Sequence, residues 1–169
     1  SMVTNGSVLN RHGENVLETI DGFAEVGLSI SIDCIGEQHD YWRHKGTWDK
    51  VLSNLKEFHK FKLANPKSVF TKIRTAISWP NAYGARYVFD NLSQYVDKMR
   101  HNFVTNPWDL SIDCLPKEHL DKLIEHWKDY PEVQVAFKNV VPKENLYLYP
   151  RKYMLCLLYT SDAADDTPC

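Results

Sequence analysis

Cysteine is scarce in this chain and poorly spaced for its usual work. The four cysteines, Cys34, Cys114, Cys156 and Cys169, form no CxxC pair, which excludes a small disulfide framework and the common zinc-ligand spacings. Long apolar runs are missing as well. None approaches the ~20 residues that a helix needs to cross a bilayer, and the first residues carry no signal-peptide pattern. A dominant charge sign is also lacking: 20 basic and 22 acidic residues are interspersed, for a net charge of -2. That argues against nucleic acid held by bulk electrostatics. The expectation is a cytoplasmic protein with neither a membrane nor a nucleic-acid partner. What is present, 43% hydrophobic residues in a chain of 169, is enough for one domain with a real core.

Both ends are set apart from the fold. Ser1 before Met2 reads as a cloning scar or a truncated reading frame. The stretch 156–169, CLLYTSDAADDTPC, shifts abruptly from a Tyr/Lys-rich segment to an apolar burst and an acidic, Ala-rich end. Its first part looks like a translated transposon-type sequencing adapter, so the stretch is expected to be non-native and to lie outside the fold. That leaves Cys34 and Cys114 as native cysteines and 1–155 as the domain.

The chain is organised around VGLSISIDCIGEQHDYWRHKGT, residues 26–47. Val26, Leu28, Ile30 and Ile32 alternate with Gly27, Ser29, Ser31 and Asp33, the period of a strand with two unlike faces. Gly36 breaks it into a loop carrying Glu37, His39, Asp40, Arg43 and His44, and Thr47 suits the N-cap of the next helix. Residues 69–78 alternate in the same way, with Lys72, Arg74 and Ser78 on one side. A shorter strand is expected at 102–104.

Helical spacing appears at Val16, Leu17, Ile20, Phe23 and Ala24, and again at Trp48, Val51, Leu52, Leu55 and Phe58. Asn81 suits the cap of a helix carrying Val88, Leu92, Tyr95, Val96 and Met99. Pro116 suits the first position of one carrying Leu120, Leu123, Ile124 and Trp127. Residues 133–137 fit a strand or a helical turn equally.

Alternating elements of this kind imply an α/β fold of parallel strands with right-handed crossover helices. A central strand of a doubly wound sheet is apolar on both faces. Two strands with polar faces suit a TIM-like partial barrel around a polar lumen instead, with helices packed on one face.

The ordered set Thr4-Asn5-Gly6, Ser31-Ile32-Asp33, His39-Asp40-Tyr41-Trp42-Arg43 with Gly46, Trp48 and Val51, then Thr75 and Asn81 resembles the second half of a radical S-adenosylmethionine (SAM) domain of the twitch/SPASM-type group. The resemblance covers roughly residues 2–115. It implies part of a (β/α)6 barrel, from the end of the third family strand to the sixth βα unit. It also implies an enzyme that binds SAM and uses a 4Fe–4S cluster to generate a 5'-deoxyadenosyl radical, modifying a peptide or small-molecule substrate.

By the same resemblance, Ser31 meets the SAM ribose or amino-acid moiety, Arg43 pairs with its carboxylate, and Asp33 lines the site or orients the loop. Thr75, Ser78 and Asn81 face the adenosine or the substrate. Catalytic and metal-ligating residues are not assigned. Cys34 stands where the family more often has Gly or Asp. The cluster motif CxxxCxxC and the GGE motif do not occur, so this polypeptide is expected to be an inactive fragment whose missing half carries the cluster. The alternative is a non-catalytic α/β binding or assembly module.

Other groupings have plainer explanations. His39, Asp40 and His44 are expected on a solvated loop rather than around a metal. The string SIDC recurs at 31–34 and 111–114, which reads as chance. The five tryptophans suit core and rim packing better than a base-stacking platform. Lys72 and Arg74 suit either a phosphate or pairing with carboxylates across a lumen.

Overall fold

The computed structural model describes residues 1–11, 13–43 and 47–140. The stretch 156–169 and His44 therefore lie outside the described residues. In chain order the elements are strands β1 (Met2–Thr4), β2 (Asn10–Arg11) and β3 (Glu14–Asn15), helix α1 (Val16–Ile20), strand β4 (Val26–Ser31) and helices α2 (Gly36–Trp42) and α3 (Trp48–Ala64). Strand β5 (Val69–Ile77), helix α4 (Gly84–Leu92), strand β6 (Lys98–Phe103) and helices α5 (Lys117–His126) and α6 (Pro131–Lys138) follow. No helix among the described residues is long and apolar enough to cross a membrane.

Four strands form a parallel sheet in the order β1-β4-β5-β6, and β2 and β3 make a separate antiparallel hairpin. Each strand of the large sheet lies beside the next one in the chain, apart from that hairpin. Right-handed crossovers taken repeatedly in one direction place their helices on the same side of a sheet. The burial follows suit. Val26, Leu28, Ile30 and Ile32 of the β4 segment and Val69, Ile73 and Ile77 of β5 are buried, and they share one cluster with Val51, Leu55 and Phe58 of α3 and Val88 and Leu92 of α4. Each fully buried aliphatic or aromatic side chain there stabilises the fold by roughly 1.5–3 kcal/mol.

The alternate residues of β5, Phe70, Arg74 and Ala76, are exposed, with Lys72 half-buried. Lys98, Arg100 and Asn102 of β6 are exposed likewise. This sheet has one packed face and one largely bare, polar face.

The aromatic half of the core closes the far edge. Trp127, completely buried at the end of α5, donates its indole N–H to the Ala82 carbonyl at 2.9 Å. Its ring meets Phe89 of α4 edge-on at 5.3 Å, and Phe137 of α6 lies 4.8 Å from Phe103 of β6. Residues 133–137 are therefore helical, and Pro116 stands at the N-cap, one position before the helix proper.

Several sequence expectations change. β6 begins at Lys98, four residues ahead of the expected strand, so Met99 is a strand residue. Leu92 ends α4, and a short 3-10 turn at Ser93–Tyr95 follows. α1 is a single turn with no buried residue, and Phe23 is 64% exposed because Gly22, at φ 83°, has already turned the chain. Residues 36–42 form a helix rather than a loop. Thr47 is the N-cap of α3 but makes no side-chain cap bond. The carboxylate of Asp40 accepts the Trp48 N–H at 2.6 Å instead. Asn81 does not cap α4, whose N-cap is Tyr83.

Trp127→Ala should destabilise the fold by about 3–5 kcal/mol, and Trp127→Phe by only about 1–3 kcal/mol, since it keeps an aromatic ring but loses the indole N–H and orphans the Ala82 carbonyl. Urea denaturation of the two variants checks the ranking.

Candidate functional site

The sequence-derived residues converge where β4 and β5 end. Ser31 is the last residue of β4, stands opposite Arg74 in the ladder and is half-buried on the bare face. Two residues on, Asp33 shares that face. Its Oδ2 accepts a 2.6 Å bond from an Arg43 guanidinium nitrogen, and its Oδ1 accepts the Ala76 N–H at 2.9 Å. Arg43 is the C-cap of α2, so that short helix carries it back over the strand end. Asp33 thus braces Arg43, and Asp40 accepts the Trp48 N–H and lies 3.2 Å from His39 Nδ1.

The other three residues are engaged in holding the strand ends. Thr75 is 1% exposed, on the helix-packed face, and its hydroxyl donates to the Ile32 carbonyl at 2.9 Å. The Asn81 side chain is fully committed. Its oxygen accepts the Ser78 N–H and hydroxyl at 2.7 and 3.0 Å, and its nitrogen donates to the carbonyls of Asp33 and Ala76 at 3.2 and 2.8 Å. Ser78 has spent its donors on Asn81 and is 5% exposed. The structure therefore brings Ser31, Asp33 and Arg43 to one exposed edge, and Thr75, Ser78 and Asn81 to a buried clamp beneath it.

Thr4-Asn5-Gly6 forms a turn after β1. Thr4 Oγ1 accepts the Gly6 N–H at 3.1 Å, and Asn54 of α3 donates to the Gly6 carbonyl at 2.8 Å. Gly6 has φ 75°, and a Cβ there would stand 3.3 Å from both Ile30 and Val51, so the turn packs tightly at the head of the sheet.

Cys34, between Asp33 and Asn81, is buried. Burial, and then the neighbouring Asp33 charge, push its thiol up to about 12, which disfavours the thiolate that bonds metals. His39 is buried in α2, its ring 5.5 Å from that of Trp48, a packing role rather than a solvated one. The second SIDC string departs from the first. Ser111 opens a 3-10 turn and accepts the Asp113 N–H, whereas residues 31–34 run out of a strand.

Sequence reasoning missed the cations of β6. Lys98 and Arg100 share the bare face with Lys72 and Arg74, each pair directly opposed across the ladder. Their i, i+2 spacing was the available signal. Comparison with protein families, with curated proteins and with solved structures finds no match.

Asn81→Ala should cost about 1–3 kcal/mol by orphaning buried donors and acceptors, and Thr75→Val about 1 kcal/mol. Denaturant titration measures both. Equal stability to the parent chain in Asn81→Ala would show that the clamp does not hold the strand ends.

Proposed function

We propose that this chain is the SAM-binding C-terminal part of a radical SAM enzyme, its four parallel strands forming part of a (β/α)6 barrel. The observation that carries the reading is the sheet itself. Its strands run in sequential order with one face packed and the other polar, and the Ser31–Asp33–Arg43 group sits at the C-terminal strand ends. Sequential winding is that of a barrel, whereas a doubly wound sheet reverses its order and covers both faces. In a barrel the uncovered face is the lumen, and ligands bind over the C-terminal ends of the strands.

The residues fit SAM in charge and donor type. One terminal nitrogen of Arg43 is held by Asp33, and the remaining guanidinium donors suit a carboxylate. The Ser31 hydroxyl suits the ribose or amino-acid group. SAM, when bound, supplies the adenosyl group for radical chemistry. The chain's own work is to bind and orient it, with Asp33 fixing the direction in which Arg43 points. A 4Fe–4S cluster does not fit these residues, because Cys34 is buried with a raised thiol pKa and no CxxxCxxC spacing is present. The electron source belongs to another part of the proposed enzyme.

A charge-assisted bond contributes about 1.5–3 kcal/mol, so Arg43→Ala should weaken SAM binding by about one to two decades. Titration calorimetry on this chain joined to a half-barrel carrying the cysteine motif tests it. Asp33→Asn serves as the control that loosens Arg43 without removing it. Unchanged affinity in Arg43→Ala, with the fold intact, would leave Arg43 as a brace for Asp33. The chain would then read as a non-catalytic α/β module.

A further inference from the structure

Lys72 and Arg74 of β5 stand directly opposite Lys98 and Arg100 of β6, making a two-by-two grid of cations on the bare face of the sheet. Neighbouring strands lie ~4.8 Å apart, and residues two apart along a strand are separated by roughly 6.6 Å. Like charges set opposite one another on a sheet are unfavourable. An ordinary solvated face relieves this by mixing signs, and here the described residues supply no such relief. No described carboxylate forms an ion pair with any of the four. The carboxylate that shares the face, Asp33, forms its ion pair with Arg43 and accepts the Ala76 N–H through its other oxygen.

Beside the grid lies a second unmet demand. Ser29 is opposite Lys72 in the ladder, is 2% exposed, and its hydroxyl has no hydrogen-bond partner. A buried hydroxyl left unpaired costs free energy; this one lies on the side of the cations but is closed to solvent, so it takes no part in a contact with a ligand there.

We infer that this face binds an acidic polypeptide segment in extended conformation, two of its carboxylates bridging the Lys72–Lys98 and Arg74–Arg100 rows. The fit is one of charge and of period. In an extended peptide, side chains two residues apart project from the same side about 6.6–6.8 Å apart, the same step that separates the two cation rows. Each carboxylate falls between two cations, and the arginine row offers it a planar fork of donors. Single-stranded nucleic acid also carries regularly spaced anions, but it is held by aromatic platforms as well as charge. Among the β5 and β6 residues of this face, Phe70 is the one aromatic. The anion site rests on the sheet register and on the lack of a described ion-pair partner for its four cations. That the acidic segment is the enzyme's substrate rests on the radical SAM reading.

The test is fluorescence anisotropy of a labelled peptide of alternating Asp and Gly on the full chain, without SAM, at low and physiological ionic strength. The same peptide with Asn for Asp, and an oligothymidylate, are the comparisons. The acidic peptide should bind about tenfold or more tightly than the Asn peptide. Arg74→Gln with Arg100→Gln should remove about tenfold or more of that affinity, while Lys50→Gln with Lys56→Gln, on the exposed side of α3, should leave it largely intact.

The Arg74/Arg100 variant should also be at least as thermally stable as the parent chain, since it relieves repulsion. Equal affinity for the Asp and Asn peptides would overturn the proposal, as would equal loss in the two double variants or tighter binding of oligothymidylate. Because SAM is absent throughout, a negative result here leaves the Arg43 experiment to stand or fall by itself.

Discussion

The tie between the ends of β4 and β5 is the constraint on which the rest of this structure depends. A parallel ladder is slightly weaker per residue than an antiparallel one, and here it stops while two chains still have to be held in register. Side chains take over. Thr75 reaches the Ile32 carbonyl, Asp33 takes the Ala76 N–H, and Asn81 closes the gap by donating to the carbonyls of both strand ends. Three residues thus satisfy backbone groups that the ladder leaves open. Arg43 inherits its position from this arrangement, because the carboxylate that anchors it is itself anchored to β5.

A consequence of sequential strand order is a sheet with unequal faces. Parallel sheets are normally covered on both sides, and this one has its buried aliphatic residues on one face, with Val3 and Ala76 exposed on the other. The bare face tolerates exposure because serine, lysine, arginine and asparagine outnumber the apolar Val3, Phe70 and Ala76 on it. An edge strand rich in charge, such as β6 with Lys98, Arg100 and exposed Asn102, also resists adding further strands. The same residues therefore explain how the face tolerates exposure and why it carries so much positive charge that no described carboxylate pairs.

Strands β4 and β5 were legible because their two faces differ in chemistry, so that period two stands out of the sequence. β6 was half hidden. Its inward residues are Met99, His101 and Phe103, and a histidine between two apolar residues blurs the alternation; His101 packs against Phe103, and burial lowers its pKa. α2 was hidden by its glycine start and polar content. The cap of α3 comes from Asp40, eight residues before the N–H it accepts, a contact that exists only once α2 folds back. At the site, the residues that cluster were recoverable from type and order. Their division was not, because the partners of Thr75 and Asn81 lie 43 and 48 residues away in the chain. A threonine aimed at a ligand and a threonine aimed at a neighbouring carbonyl read alike until the register is known.

That division also separates two electrostatic regimes on one face. At the strand ends Asp33 and Arg43 neutralise each other through their direct bond, and the second Asp33 oxygen accepts the Ala76 N–H. Two residues below, Arg74 and Arg100 begin a zone in which positive charge is uncompensated among the described residues. A ligand at the upper level must make use of the spare donors of a paired guanidinium, which suits one well-placed carboxylate. A ligand at the lower level meets four cations, and its binding should fall steeply as salt screens them. Geometry governs the first level and charge the second. The strand register that links Ser31 to Arg74, and Arg74 to Arg100, holds both at fixed separation.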